Sequence, residues 1–187
     1  MTVQVLRAEG RAATPWLNGG GVTREVAGFP AGAGMTDFLW RVSLADVAQG
    51  GPFSRFTEVD RVITVVRGEG MALTVDGTEH ELAKPYRPFA FSGDADTDCR
   101  LLGGPVVDFN VMTRRGRCRA EVEIADFQRD VTVPPGGSVL LVCLQGTAEL
   151  GAADLRLGEF DAALLERGED QLRVDGVAAL VTLRRLG

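Results

Sequence analysis

The side chains in this 187-residue chain best suited to chemistry are arginines standing beside carboxylates. Arg24-Glu25 lies in WLNGGGVTREVAGFP (16–30), Asp60-Arg61 opens DRVITVVRGEGMALTV, and Asp108 and Asn110 alternate with Val107, Phe109 and Val111 in GGPVVDFNVMTRR. A guanidinium held by a carboxylate presents a planar fork that suits a planar anion such as a carboxylate. Arg41, in FLWRVSLA, opposes Phe38, Trp40 and Val42 in the same alternating way. Arg24 or Glu25, Arg41, Arg61, Asp108 and Asn110 would converge on one pocket if their strands line one barrel. The competing reading is that they are solvated strand ends or structural ion pairs, since unpaired buried charge is costly.

Other chemistries are excluded by inventory. The chain has one histidine, His80, and one lysine, Lys84. Three-histidine metal sites, HExxH zinc sites and paired-histidine catalysis are absent. A Ser-His-Asp arrangement would have to use His80, which follows the Asp76-Gly77 turn and reads as a solvent-facing hairpin residue. The glycines after Asn18 lack the GK[ST] ending of a Walker loop and do not form GxGxxG. Cys99, Cys118 and Cys143 form no CxxC and read as packing residues, and their odd number points to a reducing compartment. A net charge of −6 disfavours nucleic acid and anionic lipid. With no signal-type apolar segment, and 139–144 as the longest aliphatic stretch, a cytoplasmic protein is expected.

The elements that must position these residues read as short strands. With 24 glycines and 8 prolines, the chain is punctuated every few residues. Apolar or alternating runs recur at 22–27, 38–45, 61–67, 71–75, 89–92, 106–113, 120–125, 130–133, 139–144, 148–150, 160–165 and 178–184. The best helical candidate, 43–48, is too short to matter. This predicts an all-β protein of sandwich or barrel type. A faint repeat matches VITVVRGEGMALTV to VLLVCLQGTAELGA, each read as a strand, a glycine turn and a return strand, and FAFSGD to ALLERGED. The halves expected are 1–116 and 117–187. Most of the aromatics and the unusual polar clusters precede Asn110, so the site is expected mainly in the N-terminal half.

WLNGGGVTREV, DFLWRVSLADVAQGGPFSRF, DRVITVVRGEGM, FSGD and GPVVDFNVMTRRG, in this order over residues 16–116, resemble the HutD/Ves family. Leu17 stands where the family usually has lysine, and Thr57-Glu58-Val59 where Pro-Gly commonly precedes the Asp-Arg pair. The resemblance implies a double-barrel cupin, a bicupin of two jelly-roll-like barrel halves packed together. Cupin metal sites use histidines spaced HxH on a strand that here reads MALTVDG, so neither metal nor other cofactor is expected.

Members resembling HutD are associated with histidine utilisation, which implies binding of a small catabolic intermediate such as N-formylglutamate. The pocket candidates carried over by motif are Asn18, Thr23, Arg24, Asp60, Arg61, Asp108 and Asn110, joined by Trp16, Glu25 and Arg41. In this reading Arg61 and Arg24 grip the carboxylate, Asp60 and Glu25 orient them, Asn18 and Asn110 fix an amide or formyl group, and Trp16 walls the pocket. The partner expected is a small carboxylate metabolite, not nucleic acid or membrane, with a homodimer left open. No catalytic residue is assigned. The alternatives are a metal-free isomerase or lyase using Asp108 or Glu25 as general base, and a non-catalytic scaffold or stress-related protein.

Overall fold

The computed structural model describes residues 2–186, which form strands and turns with no helix. In chain order the strands are β1 (Thr2–Leu6), β2 (Ala13–Pro15), β3 (Gly21–Phe29), β4 (Trp40–Val47), β5 (Gly51–Pro52), β6 (Val59–Arg67), β7 (Met71–Val75), β8 (Thr78–Leu82) and β9 (Phe89–Ser92). They continue with β10 (Thr97–Leu101), β11 (Val106–Arg114), β12 (Cys118–Ala125), β13 (Arg129–Thr132), β14 (Gly137–Leu150), β15 (Leu155–Leu157), β16 (Ala162–Arg167) and β17 (Glu169–Arg185). No helix is long and apolar enough to cross a membrane.

Residues 12–115 form one compact unit, and the residues up to Arg11 with those from Gly116 onward form a second. Residues 2–11 thus leave the N-terminal half to which 1–116 assigned them, because β1 pairs with β16. In the N-terminal unit a six-stranded sheet ordered β2-β3-β4-β11-β6-β9 accompanies a four-stranded sheet ordered β5-β10-β7-β8. One core joins them: Ala45, Val47, Ile63, Val65 and Val106 from the first pack with Met71, Leu73 and Cys99 from the second. The C-terminal unit is one seven-stranded sheet, β1-β16-β14-β17-β12, with β13 added on β17 and β15 on β14. Its core is aliphatic throughout apart from Cys143, and includes Val139, Leu141, Leu150, Leu165, Leu172 and Leu180.

The two units repeat one pairing plan. β11 pairs with β4 and β6, β6 with β9, and β10 with β5 and β7. In the same order β17 pairs with β12 and β14, β14 with β16, and β17 with β13. Ile63 stands opposite Asn110 and Phe89, as Leu141 stands opposite Leu180 and Ala163. The expected return strand after Gly146 is a correction: β14 runs on through it, bulged between Cys143 and Gln145. Gly146 (φ 74°) faces Gly176 (φ 127°) across the ladder. A Cβ on either would drive into the opposite backbone, at Asp175 O or Gln145 O. The paired glycines let both long strands bend without separating.

Candidate functional site

β11 is buried along nearly its whole length, on both faces. Asp108 and Asn110 are therefore not the solvated face of an exposed strand. The register arranges the inner face of the N-terminal barrel as rungs. Arg41, Met112, Arg61 and Phe91 share one, and Glu25, Ser43, Asn110, Ile63 and Phe89 share the next. Thr23, Ala45, Asp108 and Val65 share the third. Successive rungs on one face lie about 6.8 Å apart. Arg61, Asn110 and Asp108 therefore form a line inside the barrel, the amide between the two charged groups.

Arg61 is 6% exposed. Its guanidinium carbon lies 5.4, 5.6 and 4.9 Å from the ring centres of Phe53, Phe56 and Phe91. The ring faces attract the cation but accept no conventional hydrogen bond. Among the described residues its Nε has no hydrogen-bond partner, and neither does the Asn110 side-chain oxygen. Burial lowers the Arg61 pKa to about 10 against an upward pull from Asp108. Asp108, 2% exposed, has no hydrogen bond or ion pair among the described residues. Burial raises its pKa to about 7, with Arg61 pulling down and Asp46 pushing up. The buried Cys99 thiol, in contact with Met71 Sδ at 3.6 Å, is pushed up to about 12, first by burial and then by Asp108.

The other sequence candidates take up separate positions. Glu25 accepts from Arg41 Nε at 2.6 Å, and this ion pair stands at the wetter edge of the second and first rungs. Trp16 Nε1 donates to Thr23 Oγ1 at 2.7 Å and sets its ring edge-on to Phe53, 6.0 Å away, so it reaches Arg61 only through that phenylalanine. Gly21 makes room for the indole, since a Cβ there would meet it at 3.1 Å.

Three candidates are not brought to the line. Arg24 lies on the opposite face of β3, half exposed, in an ion pair with Asp46. Asp60 points away from Arg61 and binds Arg115 Nε at 2.8 Å, in a cluster that also ties Arg115 to Asp94 and Ser92. Asn18 accepts from the Gly20 N–H at 2.9 Å and closes its own turn. The expected roles of Arg24 in gripping a carboxylate, of Asp60 in orienting Arg61 and of Asn18 in fixing an amide or formyl group are corrected by these partners.

His80, expected in solvent, is half-buried with its ring 4.7 Å from that of Phe89. The sequence reading missed Phe53, Phe56 and Phe91, although the crowding of aromatics before Asn110 was the available signal. Among the described residues no group of three His, Cys, Asp or Glu side chains is placed to hold a metal ion. A cavity of about 410 Å³ opens in the C-terminal unit beside Thr147, Glu149, Arg156, Arg173 and Asp175; none of the candidates lines it.

The model of the HutD family matches residues 8–182. A Pseudomonas putida protein described as an uncharacterized 21.2 kDa protein in the hutC 3′ region is 38% identical over 187 residues, covering 97% of each chain. Protein Ves of Citrobacter koseri is 39% identical over 85% of this chain and 81% of its own. The structure of HutD from Pseudomonas fluorescens superposes with a TM-score of 0.88 at 35% identity over the full length of both chains. A cupin-2 conserved barrel protein from Leptotrichia buccalis shares the fold at 7% identity, with a TM-score of 0.57 over 88% of each chain. With the family model spanning nearly all of the sequence and relatives of both names matching most of their own length, this chain belongs to the HutD/Ves family and has its cupin fold.

Proposed function

We propose that the N-terminal barrel binds a small carboxylate-bearing metabolite of the N-formylglutamate kind, and that the protein modulates histidine utilisation through that binding. The observation that carries the reading is Arg61, a buried guanidinium in a cage of three phenylalanines with an unpartnered Nε. A buried donor without an acceptor is expensive, and a ligand carboxylate would satisfy it with a charge-assisted bond. The orphaned Asn110 oxygen one rung away suits the N–H of a formamide. Arg41, at the wetter edge and paired with Glu25, stands ready for a second carboxylate. The tie to histidine utilisation comes from the relatives, one called HutD and one placed beside hutC.

The test is a thermal-shift and calorimetric titration with N-formyl-L-glutamate, with L-glutamate as control. Ligand at 100 times its Kd stabilises by about 2.7 kcal/mol. Saturable, selective binding that Arg61→Gln weakens at least tenfold is the expected result. Equal binding by that variant, or none by the wild type, sinks the assignment.

The position of Asp108 favours one second reading, a metal-free isomerase or lyase, because its carboxyl titrates near neutrality as a general base should. Glu25, exposed and tied to Arg41, does not share that environment. Proton NMR of N-formyl-L-glutamate incubated with the protein in D2O tests it. Exchange at the α-carbon or new vinylic signals, abolished in Asp108→Asn, would establish catalysis.

A further inference from the structure

We propose that Asp108 determines specificity in the N-terminal barrel: it enters the complex as a neutral carboxylic acid, donates its proton to a ligand oxygen, and selects a ligand with an oxygen acceptor there over one with an ammonium. This rests on the binding reading above and deepens it. Four observations support it.

The first is placement. Asp108 shares its face with Arg61 and Asn110 and stands one rung beyond the amide, so a ligand anchored by its carboxylate on Arg61 extends towards it. The second is the lack of local partners. Asp170, the buried aspartate of the C-terminal unit, accepts backbone N–H groups from Ala152, Ala153 and Gln171 at 2.7, 3.2 and 2.7 Å. Asp108, buried more deeply, accepts none among the described residues. A carboxylate held as an anion is normally supplied with donors, and this one is not.

The third is that the fold does not need a carboxyl there. Asp108 opposes Val65 as Ala178 opposes Cys143, so the equivalent position of the sister barrel carries a methyl group. The fourth is the surrounding charge. Arg61 on β6 is the cation that acts on Asp108, and Asp46 on β4 opposes it. Across the barrel β10 offers the Cys99 thiol, flanked in sequence by Asp98, and β7 offers Met71 and Leu73. Once Arg61 is neutralised by a ligand carboxylate, little holds Asp108 ionised. Its burial already favours the acid, which has one O–H to give.

Calorimetry on the full chain decides the matter. N-formyl-L-glutamate and L-glutamate are titrated from pH 5.5 to 8.5 in buffers of different ionisation enthalpy. The expected result is binding of the formyl compound with uptake of up to one proton, its affinity falling towards tenfold per pH unit on the alkaline side. L-glutamate, which offers an ammonium in place of the formamide, binds at least tenfold more weakly. Asp108→Asn, a neutral donor of the same shape that cannot titrate, loses both the proton uptake and the slope. Affinity that rises with pH, a preference for the ammonium ligand, or a slope retained in Asp108→Asn overturns the proposal. Binding with no pH dependence overturns it alone; no heat from either ligand at any pH overturns the binding reading with it. Proton uptake by the wild type is read without any variant, so the test survives an Asp108→Asn chain that folds poorly.

Discussion

Val139, Leu180 and Ala178 occupy three successive rungs inside the C-terminal barrel, where Arg61, Asn110 and Asp108 occupy the equivalent rungs of the N-terminal one. The strand plan around them is shared, and each set lies on a buried face. The aliphatic set needs nothing from its surroundings. The polar set is provided with three aromatic rings for the guanidinium and leaves an Nε–H and an amide oxygen unanswered. One copy of a duplicated fold therefore serves as a control for the other. The architecture is satisfied by methyl groups at these positions, so the polar groups reflect function, or a tolerated cost, and not folding.

The comparison breaks most visibly if the two interiors are exchanged. Val139→Arg places a guanidinium among aliphatic side chains with no cage, and a loss of about 4 kcal/mol or outright unfolding in urea is expected. A loss below about 1 kcal/mol would mean that the cage around Arg61 is dispensable. The two buried aspartates sharpen the contrast. Asp170→Ala strands three backbone N–H groups and should cost about 3 kcal/mol, whereas Asp108→Ala removes no bond and should leave stability equal or higher.

Acid and base separate the barrels more gently. Between an unfolded aspartate pKa of about 3.9 and the folded value of about 7, the folded chain holds a proton on Asp108 that the unfolded chain has released. The Asp108 contribution to stability therefore falls as pH rises through that window, by at most about 1.4 kcal/mol per pH unit, and levels off above it. Denaturant titrations of wild type against Asp108→Asn should show this difference, and a difference that grows with pH in the opposite sense contradicts the burial. Smallest of all, Arg24→Ala removes a half-exposed ion pair and should cost less than about 1 kcal/mol, with affinity for N-formyl-L-glutamate unchanged within twofold.

Much of the strand order was legible because apolar runs between glycines and prolines leave few other conformations. β1, β2, β5, β8, β10 and β15 escaped notice; of these, β8 (TEHEL) and β10 (TDCRL) carry charges on every second residue, so their apolar face is only two or three residues long. β14 escaped in a different way: a glycine that reads as a turn is a corner when a second glycine faces it from a strand 30 residues away. Among the candidates, alternation in β11 singled out Asp108 and Asn110, and a carboxylate beside a guanidinium at the head of an apolar strand singled out Arg61.

Asp60 was misjudged although strand parity forbids it, since neighbours on a strand point to opposite faces and Arg61 points in. Arg24 was harder. Only the pairing of Glu25 with Ser43 shows which of the two faces inward, and the bulge between Glu25 and Ala27 hides that register from the sequence. Phe53 and Phe56 come from the stretch between β5 and β6, whose path no periodicity encodes.

The pairing of β1 with β16 also sets a timetable for synthesis. Thr2 stands opposite Arg167 and Leu6 opposite Ala162, so β1 leaves the ribosome long before the strand it pairs with. Residues 12–115 have their strand partners within their own stretch and need no such wait. Until residue 162 is made, β1 has no sheet to join and is an unpaired strand of the kind that recruits foreign edges. Ribosomal pausing or truncation between residues 115 and 162 would fall on the C-terminal unit, leaving the strand partners within residues 12–115 already made.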